Sequence, residues 1–299
     1  MQILIRIFVL ICTKLRLKRV VVRNFVLIFA KIYKSESYFL HNICVHAKKA
    51  VTLHPIMTIL CIDTATKVCS AALWSNGKVV AHEIYDGEAN HARALPMYID
   101  ELLAIARERS LHIDAVALSE GPGSYTGLRI GAGTAKGLCY ALDIPLIPIP
   151  TTEVMCQGLK ELKSERVKDD TALCPLIDAR RMEVYAAYYT RDIRPLTDIR
   201  AIVVDSPEAL TQPVKPYAKH VIYFGDGADK CRDLLATATD IQCDVVSGIV
   251  PDAQFMGELV ERREPRGENR KVEDKDLAYY EPFYLKEFVA APSHVKGLR

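Results

Sequence analysis

The stretch EGPGSYTGLRIG, residues Glu120–Gly131, decides the fold, because it joins a predicted buried strand to a predicted helix over 126–142. Gly121 and Gly123 can adopt positive φ angles without a Cβ clash, and Thr126 is a suitable N-cap for the helix. The free N–H groups at the start of a helix attract anions. The stretch by itself therefore leaves two interpretations open, an anion site or a tight strand-to-helix turn without a ligand.

The composition is that of a globular protein, since half of the 299 residues are apolar and a quarter are charged. The nine cysteines are odd in number and form no Cys-x-x-Cys pair, which favours reduced core residues of a cytoplasmic protein over disulfides or a zinc site. From Met57 onward the chain has 29 basic and 36 acidic residues. A body with this net negative charge has no general attraction for nucleic acid.

Residues 1–56 form a basic extension that contains ten lysines and arginines and a single acid, Glu36. The cations interrupt its apolar runs, so no segment reaches the roughly 20 apolar residues that a membrane helix needs. We expect no membrane association of the body. An arginine-rich presequence, a basic membrane-surface segment and a wrongly assigned start are all open, and we favour the last because Met57 is followed at once by a strong strand pattern.

The pattern from Met57 predicts two α/β lobes, over 57–160 and 171–290. In the first, short apolar runs around an Asn76-Gly77 hairpin turn are followed by alternating helices and strands, in the order βββαβαβα. The second lobe echoes this order imperfectly. Two similar lobes, each a mixed β-sheet begun by antiparallel strands and flanked by helices, predict the actin-like ATPase (ASKHA) fold.

Several motifs, taken in order, resemble the bacterial TsaB (YeaZ) family between Met57 and about Lys286. They are IDTAT (62–66), NHARALP (90–96), the glycine stretch, IDARRMEVY (177–185), GDGA (225–228) and PFYLK (282–286). The glycine stretch is the most specific of them, and its motif residues are Gly121, Pro122, Gly123, Ser124, Thr126, Gly127 and Arg129. Residues 1–56 lie outside the resemblance.

The resemblance implies a non-catalytic subunit required for N6-threonylcarbamoyladenosine formation at adenosine 37 of tRNA. Its expected partners are TsaD, which transfers the threonylcarbamoyl group from threonylcarbamoyl-AMP, and the ATPase TsaE. For the chain alone, both a monomer and a homodimer are open alternatives. The tRNA is expected to bind indirectly, through TsaD. We expect a cytoplasmic protein without a cofactor, while ATP or ADP at an interface of the complex stays open.

The histidines give no sign of a metal site. The resemblance implies that TsaD binds its metal through two histidines four residues apart on a helix. Here Leu95 follows His91 at that spacing, and Asp86 follows His82. We therefore expect no metal.

An active actin-like ATPase or small-molecule kinase is the alternative function. Such enzymes hold phosphates on two glycine-bearing turns, because a bare backbone can approach a phosphate closely. Residues 178–181 lack the glycine that the second turn would need. At the 225–227 turn, a purely structural role of the glycines is an alternative to nucleotide binding, because Gly-rich strand-to-helix turns are common. The weak nucleotide-binding candidates are Asp63, Thr64, Gly225, Asp226 and Gly227.

Helix 126–142 indicates a scaffold with close helix packing. Its glycines at 127, 131, 133 and 137 each forfeit about 0.5–1 kcal/mol of helix propensity relative to alanine, so another backbone should lie close to them. That neighbour is either the chain's own first helix or a helix of another subunit. The resemblance implies pairing through these two helices, with an interface at Leu95, Tyr98, Ile99, Leu102, Gly131, Thr134, Ala135 and Leu138.

Overall fold

The structure is a computed structural model that describes residues 57–86, 90–168, 170–239, 241–263 and 267–286. The basic extension predicted over 1–56 lies outside the described residues. The described residues form two five-stranded sheets with their helices. No helix within the described ranges is long and apolar enough to cross a membrane.

The helices and strands alternate along most of the chain. The first half contains β1 (Thr58–Asp63), β2 (Val68–Ser75), β3 (Lys78–Asp86), α1 (His91–Glu108), β4 (Ala115–Gly121), α2 (Tyr125–Leu142), β5 (Leu146–Pro150) and α3 (Thr151–Leu162). The second half contains β6 (Thr171–Asp178), β7 (Glu183–Ala186), β8 (Arg200–Val203), α4 (Glu208–Thr211), β9 (His220–Phe224), α5 (Arg232–Leu235), β10 (Gln242–Val246), α6 (Met256–Arg263) and α7 (Asp274–Leu277). Short 3-10 turns lie at Ser164–Arg166, Asp229–Cys231 and Ala253–Phe255.

Both sheets share one strand order and one pattern of strand directions. The first is β3-β2-β1-β4-β5, in which β1 pairs antiparallel with β2 and parallel with β4. The second is β8-β7-β6-β9-β10, in which β6 pairs antiparallel with β7 and parallel with β9. The outer strand pairs correspond in the same way, because β2–β3 and β7–β8 are antiparallel whereas β4–β5 and β9–β10 are parallel. This duplicated mixed sheet is the two-lobed actin-like arrangement, and it confirms the predicted fold class.

The first sheet is covered on both faces. Every residue of β1 and β2 is buried, as is usual for strands packed between layers of helices. One face lies against α1 and α2, which contribute Leu95, Leu102 and Ala135 to the core beneath them. These two helices are therefore held in place by the sheet, and only their outer faces meet solvent.

The other face of the first sheet shares one apolar core with the second sheet. This core contains Ile59 of β1, Met155 of α3, Leu173 of β6 and Phe224 of β9, all with 0% exposure. Burial of a side chain of this size stabilises a fold by about 1.5–3 kcal/mol. The two sheets are thus joined by a continuous apolar core.

Three details of the helices differ from the sequence expectations. Ser124, and not Thr126, is the N-cap of α2, because Ser124 has extended backbone angles and its Oγ accepts a hydrogen bond from the N–H of Gly127 at 3.3 Å. The sequence pattern predicts a helix that is entered near Pro96, but α1 begins at His91, so Pro96 lies in its second turn. The apolar spacing also predicts one helix over 253–263, whereas the structure has a 3-10 turn at Ala253–Phe255 followed by α6.

Candidate functional site

The glycine stretch packs against two other segments of the chain. Gly121 has a φ of +117°, and a Cβ there would lie 2.5 Å from the carbonyl oxygen of Phe283. A Cβ at Gly123, whose φ is not positive, would lie 2.1 Å from the carbonyl oxygen of Ala65. The Ser124 N–H donates to that same oxygen at 2.6 Å. These close approaches explain both glycines without a ligand and favour the tight-turn interpretation.

Two of the four glycines of α2 hold the helix against the turn between β1 and β2. A Cβ at Gly127 would lie 2.1 Å from the carbonyl oxygen of Thr64, and one at Gly131 would lie 2.3 Å from Thr64 Oγ1. The Thr64 hydroxyl in turn donates to the Gly127 carbonyl oxygen at 2.8 Å. The expectation that a second helix occupies this space was wrong for Gly127 and Gly131, because the β1–β2 turn fills it.

The turn that carries Asp63 and Thr64 is sealed from solvent, since both residues have 0% exposure. Asp63 Oδ1 accepts a hydrogen bond from the Ala65 N–H at 3.0 Å, whereas Oδ2 has no hydrogen-bond partner among the described residues. Burial raises the pKa of Asp63 to about 6, and the hydrogen bond from Ala65 opposes that rise. The prediction that Asp63 and Thr64 face a nucleotide is therefore corrected, because this packing leaves them no surface.

The turn at 225–227 lies against the second sheet. A Cβ at Gly225 would lie 2.4 Å from the carbonyl oxygen of Leu176, and the Gly227 N–H donates to the same oxygen at 2.9 Å. Asp226 is exposed, and its Oδ1 accepts a hydrogen bond from the N–H of Asp178 at 3.0 Å. The two glycines thus have a packing role, while Asp226 is the one nucleotide candidate of the five that keeps an exposed side chain.

The glycine-free turn between β6 and β7 has an unusual backbone. Arg180 and Arg181 adopt φ angles of +69° and +51°, a region in which residues other than glycine cost of order 1–3 kcal/mol each. Lys230 Nζ supports the turn by donating to the carbonyl oxygens of Arg181 at 2.8 Å and Glu183 at 2.7 Å. It also forms an ion pair with Asp178. Two exposed arginine side chains therefore stand where a phosphate-binding enzyme would have bare backbone.

The residues of the predicted partner interface have different exposures. Five of the eight are buried inside this chain: Leu95, Ile99, Leu102, Gly131 and Ala135. While the fold is intact these five have almost no surface to offer a partner, so we remove them from the interface. The three that keep partial exposure are Tyr98, Thr134 and Leu138.

The opposite face of α2 is open. Gly133 and Gly137 are exposed, and a Cβ at either would meet nothing within 4 Å. Tyr140, on the same face, is 77% exposed, and Met97 on α1 is 57% exposed. We call Gly133, Gly137 and Tyr140 the α2 surface. Helical spacing places 133 and 137 opposite 131 and 135, a signal that was present in the sequence.

A cleft of about 550 Å³ lies beside the start of α2. One wall is α2, and the other is the C-terminal segment 280–286. The aromatic and charged side chains that line it include Tyr125, Arg129, Lys136, Glu281, Tyr284 and Lys286. Arg129 belongs to the glycine stretch, and Tyr284 and Lys286 belong to the PFYLK motif, but no local pattern joins motifs that are about 150 positions apart.

The chain matches a family model described as TsaD, tRNA N6-adenosine threonylcarbamoyltransferase, over residues 78–290. It is 32% identical over 237 residues to the tRNA threonylcarbamoyladenosine biosynthesis protein TsaB of Escherichia coli, with 78% of this chain and 96% of that protein covered. The protein of the same name from Haemophilus influenzae is 39% identical over 137 residues, which cover 46% of this chain and 55% of that protein.

Solved structures show the same fold. YeaZ from Pseudomonas aeruginosa superposes with a TM-score of 0.61 at 25% identity, covering 77% of this chain and 100% of that one. A second Pseudomonas aeruginosa structure, described as an uncharacterized protein with similarity to peptidase YEAZ, has a TM-score of 0.63 at 24% identity and the same coverage.

Proposed function

This chain belongs to the TsaB (YeaZ) family, and from that premise we propose that it acts in tRNA threonylcarbamoyladenosine biosynthesis as a non-catalytic subunit. In this role it binds a TsaD protein, which transfers the threonylcarbamoyl group to adenosine 37, and TsaE joins the assembly. The proposal that the subunit is non-catalytic is supported by one observation, the burial of the turn at Asp63 and Thr64.

The sealed turn opposes phosphate chemistry in this chain. Actin-like ATPases hold phosphate beside the turn that follows the first strand, where the backbone must be open to the ligand. Here the Thr64 carbonyl oxygen lies against Gly127, and the Ala65 carbonyl oxygen lies against Gly123. A phosphate would have to separate α2 from this turn and break the buried hydrogen bond between Thr64 and Gly127.

A docking role accounts for the α2 surface. Gly133 and Gly137 each cost about 0.5–1 kcal/mol of helix propensity, and no neighbour within 4 Å requires the absence of a Cβ. A helix of another protein can pack closely on such a face, and the exposed Tyr140 adds apolar area and a hydroxyl. We propose that TsaD contacts this surface, and that a homodimer uses the same surface when TsaD is absent.

Co-purification of the full chain with TsaD from the same genome tests the docking proposal. Gly137→Glu adds a charged side chain where space is open, so the chain should fold normally but lose TsaD. Ala236→Glu adds the same charge at an exposed position of the second half and should leave the association unchanged. Retention of TsaD by both Gly137→Glu and Gly133→Glu would overturn the docking proposal.

The modified nucleoside gives the functional readout. In cells whose own copy of the gene is replaced, Gly137→Glu should lower the N6-threonylcarbamoyladenosine content of tRNA, measured by mass spectrometry, and Ala236→Glu should not. The purified chain alone should not turn over ATP. Turnover that Asp63→Ala abolishes would contradict the non-catalytic part of the proposal and support an active ATPase.

A further inference from the structure

The cleft beside α2 combines two tyrosine rings in contact with each other and several cations. The ring centroids of Tyr125 and Tyr284 lie 4.8 Å apart, with their planes tilted by 40°. The Arg129 guanidinium carbon lies 5.2 Å from the centroid of the Tyr125 ring. These groups come from the start of α2 and from the C-terminal segment, so the fold builds the cluster from two distant parts of the chain.

The charges that line the cleft are mostly positive. Lys136 Nζ donates to the carbonyl oxygens of Ala278 at 2.7 Å and Tyr280 at 3.2 Å, while Lys286 is paired with Glu183. Neither Arg129 nor Lys136 has a carboxylate partner among the residues that the structure describes. Glu281 is the acidic residue of the lining. Within the described residues, the site therefore presents two cations that form no ion pair, in a body whose overall charge is negative.

This combination fits single-stranded nucleic acid better than a protein helix. Aromatic side chains stack on bases of any sequence, and arginine and lysine neutralise the phosphates on either side. An acidic peptide would use the cations but would gain little from the paired tyrosine rings. The volume of about 550 Å³ lies within the usual range of ligand sites.

We propose that this cleft binds one or two unpaired nucleotides of RNA, with a base against Tyr125 and Tyr284 and a phosphate at Arg129 or Lys136. The inference rests on the proposed function, in which the complex acts on an RNA. It goes beyond it, because the chain then contacts the RNA directly. Gly133 borders both the cleft and the α2 surface, so the nucleotides would lie at the edge of the proposed TsaD contact.

Binding of a fluorescein-labelled 12-nucleotide single-stranded RNA to the full chain, followed by anisotropy, tests the aromatic part. Tyr284→Leu should weaken binding about tenfold, because it removes a stacking face. Tyr284→Phe keeps the ring and should bind like the wild type. The stacking role would be overturned if both variants bound as tightly as the wild type, or if both lost the same amount of affinity.

The salt dependence of the same affinity tests the charges. Arg129→Gln should lower the slope of log affinity against log salt by about 0.7, the value for one phosphate contact with a single strand, whereas Tyr284→Leu should leave the slope unchanged. Glu281→Gln should tighten binding. Lys78→Gln changes an exposed lysine on another edge of the fold and serves as the control. Equal slopes for Arg129→Gln and Lys78→Gln would contradict the proposal.

Two further measurements separate RNA from other ligands. RNA containing 4-thiouridine should crosslink to the peptides that carry Tyr125 or Tyr284, and dispersed crosslinks would contradict the site. Displacement of the RNA by micromolar ATP, with the same pattern across the variants, would identify a mononucleotide site and overturn the RNA proposal. Co-purification with TsaD does not depend on the cleft charges, so Arg129→Gln should retain TsaD and the two proposals can fail separately.

Discussion

The Thr64 hydroxyl donates a hydrogen bond to the Gly127 carbonyl oxygen at 2.8 Å, and the bond is buried. It joins the turn after β1 to the first turn of α2. The same two residues meet a second time, because the Thr64 carbonyl oxygen occupies the space of a Gly127 side chain. The turn and the helix therefore form one packed unit, and substitutions there should affect stability first.

The glycines of α2 should respond to alanine in opposite directions. Gly127→Ala places a Cβ 2.1 Å from a backbone oxygen that cannot rotate away, so we expect a loss of about 3 kcal/mol in the free energy of unfolding. Gly133→Ala meets open space and should gain about 0.5–1 kcal/mol. Urea unfolding of the two variants measures both effects. Equal destabilisation by both would contradict the packing described.

Gly137→Ala should separate the stability of the chain from its association. The added methyl group has no neighbour within 4 Å, so the midpoint of thermal unfolding should rise by roughly 2–4 °C. If TsaD packs closely on the α2 surface, the same methyl group should weaken the complex several-fold in a titration. A variant that is more stable and binds TsaD as tightly as the wild type would place the contact elsewhere.

Asp63 should make the protein less stable as the pH rises. Its pKa is raised from 3.8 to about 6 by burial, so the native state holds a proton that the unfolded state has lost between these values. Stability should fall as the pH rises through this window, by about 3 kcal/mol for a shift of this size. Asp63→Asn should remove the dependence, matching the wild type near pH 4 and exceeding it at pH 7.5. Parallel pH profiles of the two proteins would show that the carboxyl is not buried as described.

The pair of His82 and Asp252 should have the opposite pH dependence, so that its contribution to stability is lost as the pH falls. Burial by itself would raise the pKa of Asp252, but hydrogen bonds from His82 at 2.7 Å and from Gln254 outweigh it and lower the pKa. That stability is present above the unfolded pKa of the carboxyl and is lost as the pH falls through the folded value. His82→Ala should cost about 1–3 kcal/mol at pH 7, since Asp252 loses a buried donor.

His82→Gln is the matched control for this pair, because its amide keeps a donor. It should recover part of the stability that His82→Ala loses, as measured by urea unfolding. A loss of the same size in both variants would mean that the imidazole ring contributes by packing alone.

The fold could be predicted because its signals are local. The Asn76-Gly77 turn joins β2 to β3, and strands and helices alternate through the first lobe in the predicted order, although α1 begins before Pro96. The cap of α2 was missed because Ser124 and Thr126 are both good N-caps, and only backbone geometry distinguishes them.

The candidate sites depended on long-range packing and were harder to predict. Periodicity puts Gly131 and Gly133 on opposite faces of α2, but it does not say which face meets the sheet. Asp63 had the right residue type and position for a phosphate turn, yet its burial depends on glycines about 60 residues away. The cleft was missed because Tyr125 and Tyr284 meet only in the folded chain.

The apolar core shared by the two sheets has a consequence for motion. Two-lobed enzymes of this architecture close over their substrates by a hinge movement, but here such a movement would expose Ile59, Leu173 and Phe224 to water. Hydration of these side chains would cost several kcal/mol, so the open state would be rarely populated. The protein should keep one interlobe angle throughout its cycle, and X-ray scattering profiles recorded with and without ATP should superimpose.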